Sequence, residues 1–413
     1  MIIGRIFGGV LLIAGTAIGA AMLALPIKMA GASLTAIVLS FLLGWAFMTI
    51  SAFVLMEVNF WFKGDVNLIT MTKHTLGLPG EITAWLSLLL LLYAINIAYI
   101  SGCGPMIALS LHNLFGIDVS PHVISVIFSL FFAVFLYLGT GPVDYLNRVF
   151  MVGLILIYFL LVILGTPHIK MHHLVTASDG EKLLALAFPA IVTSFCFQFV
   201  IPSLKVYLSE NIKYLSWTII IGSTIPLIMY LFWTFLILGI IPFSGDVGLS
   251  TIAAQDNPTS AMSESLTQLF HQPWVPMGIH YFSLFALITS FLGVSLGLID
   301  FLSDGLKVQK TQKNRLFLVI LAIAPSLIIA LSYPDSFMIA LGYASVFVVI
   351  LVSILPALMA WSGRYTKKTA TGFRVPGGRL TLVLLLVLSA AVIIIHFGEQ
   401  FDLFKPGYQG KLI

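Results

Sequence analysis

The chain has 413 residues, 60% of them hydrophobic and only 9% charged, with a formal net charge of +4. Soluble domains carry charge on about a quarter of their residues, so this composition excludes a water-soluble enzyme and points to lipid as the solvent. No basic patch alternates with aromatics, which excludes a nucleic-acid partner. Two cysteines, Cys103 and Cys196, both in apolar stretches, supply neither a disulfide framework nor a metal-ligand spacing.

Taken in chain order, apolar stretches of about 17–25 residues or more mark membrane crossings. They predict eleven spans, at 4–29, 32–61, 81–111, 122–141, 147–166, 182–205, 214–242, 276–303, 315–333, 335–361 and 380–397. The first has no small-residue cleavage site and reads as a retained helix rather than a leader. It carries Gly15-Thr16-Ala17-Ile18-Gly19 at mid-depth and closes on Leu25-Pro26. Glycines and a threonine are poor choices for an unbroken helix, and irregular backbone at membrane depth persists only where it is buried in protein or lines a cavity. Gly15 and Gly19 also fit the small-xxx-small spacing of plain helix packing, so this span alone leaves both readings open. The sixth span holds a second interruption, Ser194-Phe195-Cys196-Phe197-Gln198, followed by Pro202. Two broken spans in corresponding halves mark a transporter's substrate site.

An odd number of spans per half inverts the second half. The chain therefore reads as one transmembrane domain, 1–413, with a first repeat at about 4–166, a second at about 182–361 and an additional helix at about 380–397. A short helix is expected in the 62–80 connection and another over 261–270, after Asn257-Pro258-Thr259; Tyr333-Pro334-Asp335 forms the turn between the ninth and tenth spans. With the amino terminus inside, fifteen of the twenty Lys and Arg lie inside, and Lys28, Lys170, Lys182, Lys405 and Lys411 lie outside. The positive-inside rule then places the amino terminus in the cytoplasm and the carboxyl terminus across the membrane.

Several blocks together carry a family likeness. They are Ala14-Gly15-Thr16-Ala17-Ile18-Gly19-Ala20 with Met22-Leu23 and Pro26, then Glu57, Tyr99-Ile100-Ser101-Gly102, Asn147-Arg148 and Ile221-Gly222-Ser223. Thr289-Ser290-Phe291-Leu292-Gly293-Val294, continuing to Asp300 and Asp304, and Ala340-Leu341-Gly342-Tyr343-Ala344 complete the set. Over essentially the whole chain this resembles the bacterial hydroxy and aromatic amino acid permeases, tyrosine-specific members most and tryptophan permeases close behind. The resemblance implies an all-α, LeuT-type five-plus-five inverted repeat with eleven transmembrane helices in the bacterial inner membrane. It also implies cation-driven uptake of an aromatic amino acid, usually by proton symport, with no cofactor beyond the coupling ion and no obligate protein partner. One departure stands out: the family's sixth span commonly reads Ser-Phe-Gly-Phe-His, whereas here Cys196 replaces the glycine and Gln198 the titratable histidine. No coupling role of that histidine carries over.

An amino acid presents a carboxylate, an ammonium and a side chain. The amides of Gly19, Ala20 and Ala21 open the outer half of the first span, where the helix dipole is positive, and suit the carboxylate. Thr16 adds a hydroxyl, and free carbonyls near Ala17 and Phe195 suit the ammonium. Phe195 and Phe197 at the sixth-span break offer rings to stack on or gate the substrate. Gln198 there, or Asn96, which shares a face of the third span with Tyr99, offers an amide to a phenol that is costly to bury unpaired.

Coupling has two candidate sets. Thr289 and Ser290, with the carbonyls of Gly15, Ile18 and Ala286, make five oxygens of the kind that binds Na⁺ in LeuT-type sodium symporters; equally, such hydroxyls bond back to their own helix. Glu57 and Asp300 are ionisable groups inside the membrane, fit to carry a proton if desolvated or to form structural pairs with Arg5 or Arg148. Asp304 reads as structural. His168, His172 and His173 lack an acidic or cysteine partner at ligand spacing and read as a solvated loop rather than a metal site. A channel would need a ring of like residues, and an enzyme a nucleophile, metal set or paired acids; neither is present. A non-transporting amino-acid sensor stays open as the alternative, although it would usually bring an attached signalling domain and the loops here are short. Tyrosine against tryptophan or phenylalanine, and proton against sodium, stay open at this level.

Overall fold

A computed structural model describes residues 2–18, 21–64, 66–174, 180–246, 248–253, 255, 262, 274–309, 311–333 and 336–401. Among the described residues, ten helices are long and apolar enough to cross a bilayer. The first predicted span precedes them as two pieces, Ile2–Ala17 and Ala21–Lys28, which brings the crossings to the eleven expected. Among the described residues there is no strand.

The second to fifth spans are Leu34–Phe60, Leu78–Phe115, Pro121–Leu138 and Thr140–Gly165. The sixth comes as Gly180–Ser194 and Ile201–Tyr207, joined through a short 3-10 turn at Gln198–Val200. Ile212–Ile240, Trp274–Gly305 and Gln312–Ser332 are the seventh to ninth, and Gly378–Gln400 is the eleventh. The tenth starts at Ser336–Val349 and runs on through Leu355–Trp361 to Thr366, with π-helical stretches at Ile350–Ile354 and Ser362–Thr366. The 62–80 connection contains the expected helix, Leu68–Leu76. The helix expected over 261–270 and the turn at Pro334-Asp335 fall outside the described residues, Met262 apart.

Side chains start these helices where backbone N–H groups lack partners. Ser33 Oγ accepts from the Ala36 N–H at 3.3 Å, Asn67 Oδ1 from Thr70 at 2.9 Å and Asn211 Oδ1 from Tyr214 at 3.1 Å. Two boundaries differ from the sequence reading. The fourth span ends at Leu138 and the fifth begins at Thr140, because Gly139, with φ of 120°, turns the chain in a single residue. The tenth span passes position 361 because Arg364, polar and loop-like in sequence, is drawn inward to Glu57.

The two halves of the first span have different neighbours. Ala21–Lys28 packs against the sixth and seventh spans, whereas Ile2–Ala17 lies along the seventh. That second contact is backbone-close: a Cβ on Gly222 would sit 2.8 Å from Ile13 Cβ, and one on Gly9 2.9 Å from Thr218 Cγ2. Opposite them the third span packs on the fourth, eighth and tenth, and the fifth packs on the eighth. The two breaks face each other between these groups.

Candidate functional site

The sixth-span break is held by its own sequence. Helix ends at Ser194, and the Phe195 and Cys196 N–H groups close on the Val192 and Thr193 carbonyls, each at 3.2 Å. Gln198 Oε1 takes the Phe197 N–H at 2.9 Å, while its Nε2 donates to the Met48 carbonyl of the second span at 3.0 Å. In the first span, the Ile18 N–H still reaches the Ala14 carbonyl at 2.9 Å after helix ends at Ala17. Between the two breaks stands the hydroxyl of Tyr230, from the seventh span and fully buried. It lies 2.6 Å from the Ala17 carbonyl oxygen and 2.8 Å from that of Ser194. A phenol has one proton, so it satisfies one carbonyl at a time and leaves the other an acceptor.

A cavity of about 550 Å³ opens beside this junction, bounded by both breaks and by the third, fifth and eighth spans. That is within the range of small-molecule sites. Gly15, Thr16, Ala17 and Ile18 form one wall, and Thr289 and Ser290 stand on another. A Cβ on Gly15 would meet nothing within 4 Å, so Gly15 borders open space and packs against no helix. Tyr99 lines the cavity together with Ser290. Thr16 donates to the Leu12 carbonyl at 2.7 Å, and Thr289 to the Phe285 and Ala286 carbonyls at 2.9 and 3.1 Å. Both hydroxyls thus bond back into their own helices. Ala286 is fully buried behind Thr289. Gly19 and Ala20 lie outside the described residues, and Ala21 begins the second helical piece.

Several expected site residues sit elsewhere. Phe195 and Phe197 are fully buried and do not border the cavity; Phe195 packs edge-on against Tyr230 with centroids 5.2 Å apart. Phe199 and Phe301 supply the aromatic wall beside Tyr99 instead. Asn96 is also fully buried, its Oδ1 accepting from Ser295 at 2.7 Å, so it joins the third span to the eighth. Gln198 faces a second cavity, of about 480 Å³, rather than the central one.

Glu57, expected as a proton carrier or as one half of a structural pair, is paired with Arg364. It is fully buried and accepts from Arg364 Nε at 2.7 Å, from Arg364 Nη2 and from the Val375 N–H at 2.7 Å. Three donors converge on this one carboxylate, which makes a buried, bidentate pair with the guanidinium. The alternative partners are engaged elsewhere, Arg5 with Ser209 at 3.3 Å and Arg148 with Asp144 at 2.7 Å. Asp300, half-buried, borders neither cavity. On the far side, His173 Nδ1 pairs with the Gly239 carbonyl at 3.2 Å; burial, then the neighbouring His172, pushes its pKa below the usual histidine value. No group of three metal-ligating side chains occurs among the described residues.

Three residues escaped the sequence reading. Asn147, on the fifth span, lines the central cavity with a buried Oδ1 that has no partner among the described residues. A polar side chain within an apolar span was the signal that marked it. Phe199 and Tyr230 carried no such mark, being one phenylalanine among 32 and one tyrosine among 13.

A cavity at the meeting point of two broken helices, inside a bundle of this kind, defines a broken-helix membrane transport protein. Residues 3–396 match the tryptophan/tyrosine permease family, and the chain belongs to it. Tyrosine-specific transport system 1 of Haemophilus influenzae is 34% identical over 392 residues, covering 94% of this chain and 96% of the relative. A tryptophan-specific transport protein of the same organism is 29% identical over 409 residues, covering 97% of each. The crystal structure of MhsT in complex with L-phenylalanine superposes with a TM-score of 0.63 at 14% identity, over 94% of this chain and 97% of that one. That likeness establishes the LeuT-type fold.

Proposed function

We propose that this permease is a secondary symporter that imports aromatic amino acids, tyrosine foremost, by alternating access driven by the proton gradient. The observation that carries the reading is the central cavity, with the carbonyls of both helix breaks converging on one tyrosine hydroxyl. A substrate ammonium bonds to the Ala17 and Ser194 carbonyls, and the carboxylate lies toward the start of the Ala21–Lys28 helix, the positive end of its dipole. The side chain lies among Tyr99, Phe199 and Phe301.

The polar groups around that slot favour a ring that carries a donor. The hydroxyls of Thr16, Thr193 and Thr289 donate to their own helices. The Asn147 amide oxygen, unpartnered among the described residues, is left as the acceptor for a phenol or an indole. Phenylalanine offers it nothing, and an unpaired buried amide is costly. This supports tyrosine and tryptophan ahead of phenylalanine.

The chain divides into two five-span repeats, at about 4–166 and 182–361, with 380–397 added, and alternating access comes from rocking of the first, second, sixth and seventh spans against the third, fourth, eighth and ninth around the central cavity. The distribution of Lys and Arg supports a cytoplasmic amino terminus and a periplasmic carboxyl terminus in a bacterial inner membrane. Family resemblance supports protons as the coupling ion. A sodium-coupled reading is favoured by one observation, the gathering of Gly15, Ile18, Thr289 and Ser290 on the walls of one cavity.

The test is uptake of labelled tyrosine into proteoliposomes in the presence of unlabelled competitors. Tryptophan should compete strongly, phenylalanine less and leucine hardly at all. Competition by leucine as strong as that by tryptophan would overturn the aromatic assignment.

A further inference from the structure

The second cavity, of about 480 Å³, lies between the break of the sixth span, the Leu68–Leu76 helix and the adjoining ends of the third and eighth spans. It shares three wall residues with the central cavity, Leu88, Phe199 and Phe301. Those three form the neck between the two spaces, so a substrate leaving the central cavity by this route enters the second. Its volume is within the range of small-molecule sites.

The side chains beyond the neck are complementary to an aromatic zwitterion. Trp85 and Phe301 make a tilted ring pair with centroids 5.3 Å apart, exposed to the cavity. Trp85 reaches this place because residue 305 is glycine: a Cβ there would lie 3.1 Å from the indole Nε1. The indole N–H has no hydrogen-bond acceptor among the described residues. Asp304, three residues beyond Phe301 and on the same helix face, lines the cavity, and its carboxylate has neither hydrogen-bond nor ion-pair partner among the described residues. Thr70 and Ser203 add two hydroxyls to the wall. One carboxylate acceptor, one indole donor and an aromatic surface therefore meet in a single space.

We infer that this cavity is a second binding station for the aromatic amino acid, on its way out of the central site. The ammonium pairs with Asp304, the carboxylate takes the Trp85 N–H and the neighbouring hydroxyls, and the ring packs on Phe301 and Phe199. The inference rests on the transport function proposed for the central cavity.

Saturation binding of tritiated tyrosine to the full-length protein in lipid nanodiscs tests it. Wild type should bind two molecules per chain. Asp304→Asn should weaken one site about tenfold and leave the Kd of the other unchanged. Trp85→Phe, which keeps a ring and removes the N–H, should weaken the same site. Gly15→Leu, which fills the central cavity where the glycine borders open space, should abolish the other site and keep this one. One site per chain, lost in Gly15→Leu and indifferent to Asp304→Asn, would overturn the inference and leave the transport function standing. No tyrosine binding to wild type would overturn both.

Discussion

Tyr230 and Asn147 concentrate the chemistry of the central cavity in two side chains. Tyr230 places one proton between two carbonyls, 2.6 and 2.8 Å away, at the point where both spans break. Asn147 offers an unpaired amide oxygen in the same cavity. Asn147→Leu should raise the KM for tyrosine about tenfold while moving that for phenylalanine less than about twofold; equal losses in paired uptake assays would remove Asn147 from substrate recognition. Gln198 behaves differently because both ends of its amide are used inside the protein, on Phe197 and Met48. Gln198→Leu should therefore depress uptake of tyrosine and phenylalanine alike, through the loosened break, and a loss confined to tyrosine would place the amide on the substrate phenol. From sequence Gln198 stood out as a polar residue at a break, and its position at the break was legible. Its direction was not, since one residue of turn decides whether an amide faces a ligand or a neighbouring helix. Phe195 and Phe197 failed for the same reason, their rings turned into protein while Phe199 faces the cavity.

Helix breaks were the most legible elements, because glycine, threonine and proline at membrane depth carry a physical cost that only a cavity or buried contact offsets. The spacing Gly15-xxx-Gly19 fitted packing equally well until the surroundings of Gly15 were known; open space at its Cβ position decides for the cavity. The close packing glycine is Gly222, whose missing side chain lets Ile13 and the Val10 carbonyl approach. This contact holds the Ile2–Ala17 half of the first span along the seventh. Gly222→Val should push the helices apart at a cost of about 1–3 kcal/mol, seen as a lower Tm in detergent together with a reduced maximal uptake rate. Unchanged values of both would show that the two helices do not depend on this approach. The π-helical end of the tenth span was not legible, since Ser362-Gly363-Arg364-Tyr365-Thr366 reads as a polar loop until a buried carboxylate is set beside it.

Across the whole molecule, the face that carries the amino terminus is tied together by buried charge. Glu57 of the second span holds Arg364 and the Val375 N–H. Lys205, 1% exposed, donates to the Asn59, Phe62 and Gly64 carbonyls at the end of that same span, where the helix dipole favours a cation. Glu57→Gln leaves the guanidinium buried without its counter-ion and should cost about 3–5 kcal/mol. Replacing both partners, Glu57→Gln with Arg364→Leu, should recover part of that loss in thermal unfolding. A single variant as stable as wild type would show that the pair has no structural role. The eleven crossings and the two-break architecture follow from hydropathy and helix-breaking residues, and so were readable. The pairing of Glu57 with Arg364, 307 positions apart, depends on which spans become neighbours, and no local pattern encodes it.

On the proposed function, the central cavity is the path of an ion-driven aromatic amino acid. Accumulation of labelled tyrosine in proteoliposomes under an imposed inward proton gradient, with a sodium gradient in parallel, tests this directly when wild type is compared with Gly15→Leu. The prediction is concentrative uptake by wild type under the proton gradient, abolished in a Gly15→Leu protein of unchanged Tm. Accumulation undiminished by Gly15→Leu, or absent from wild type under either gradient, would contradict it.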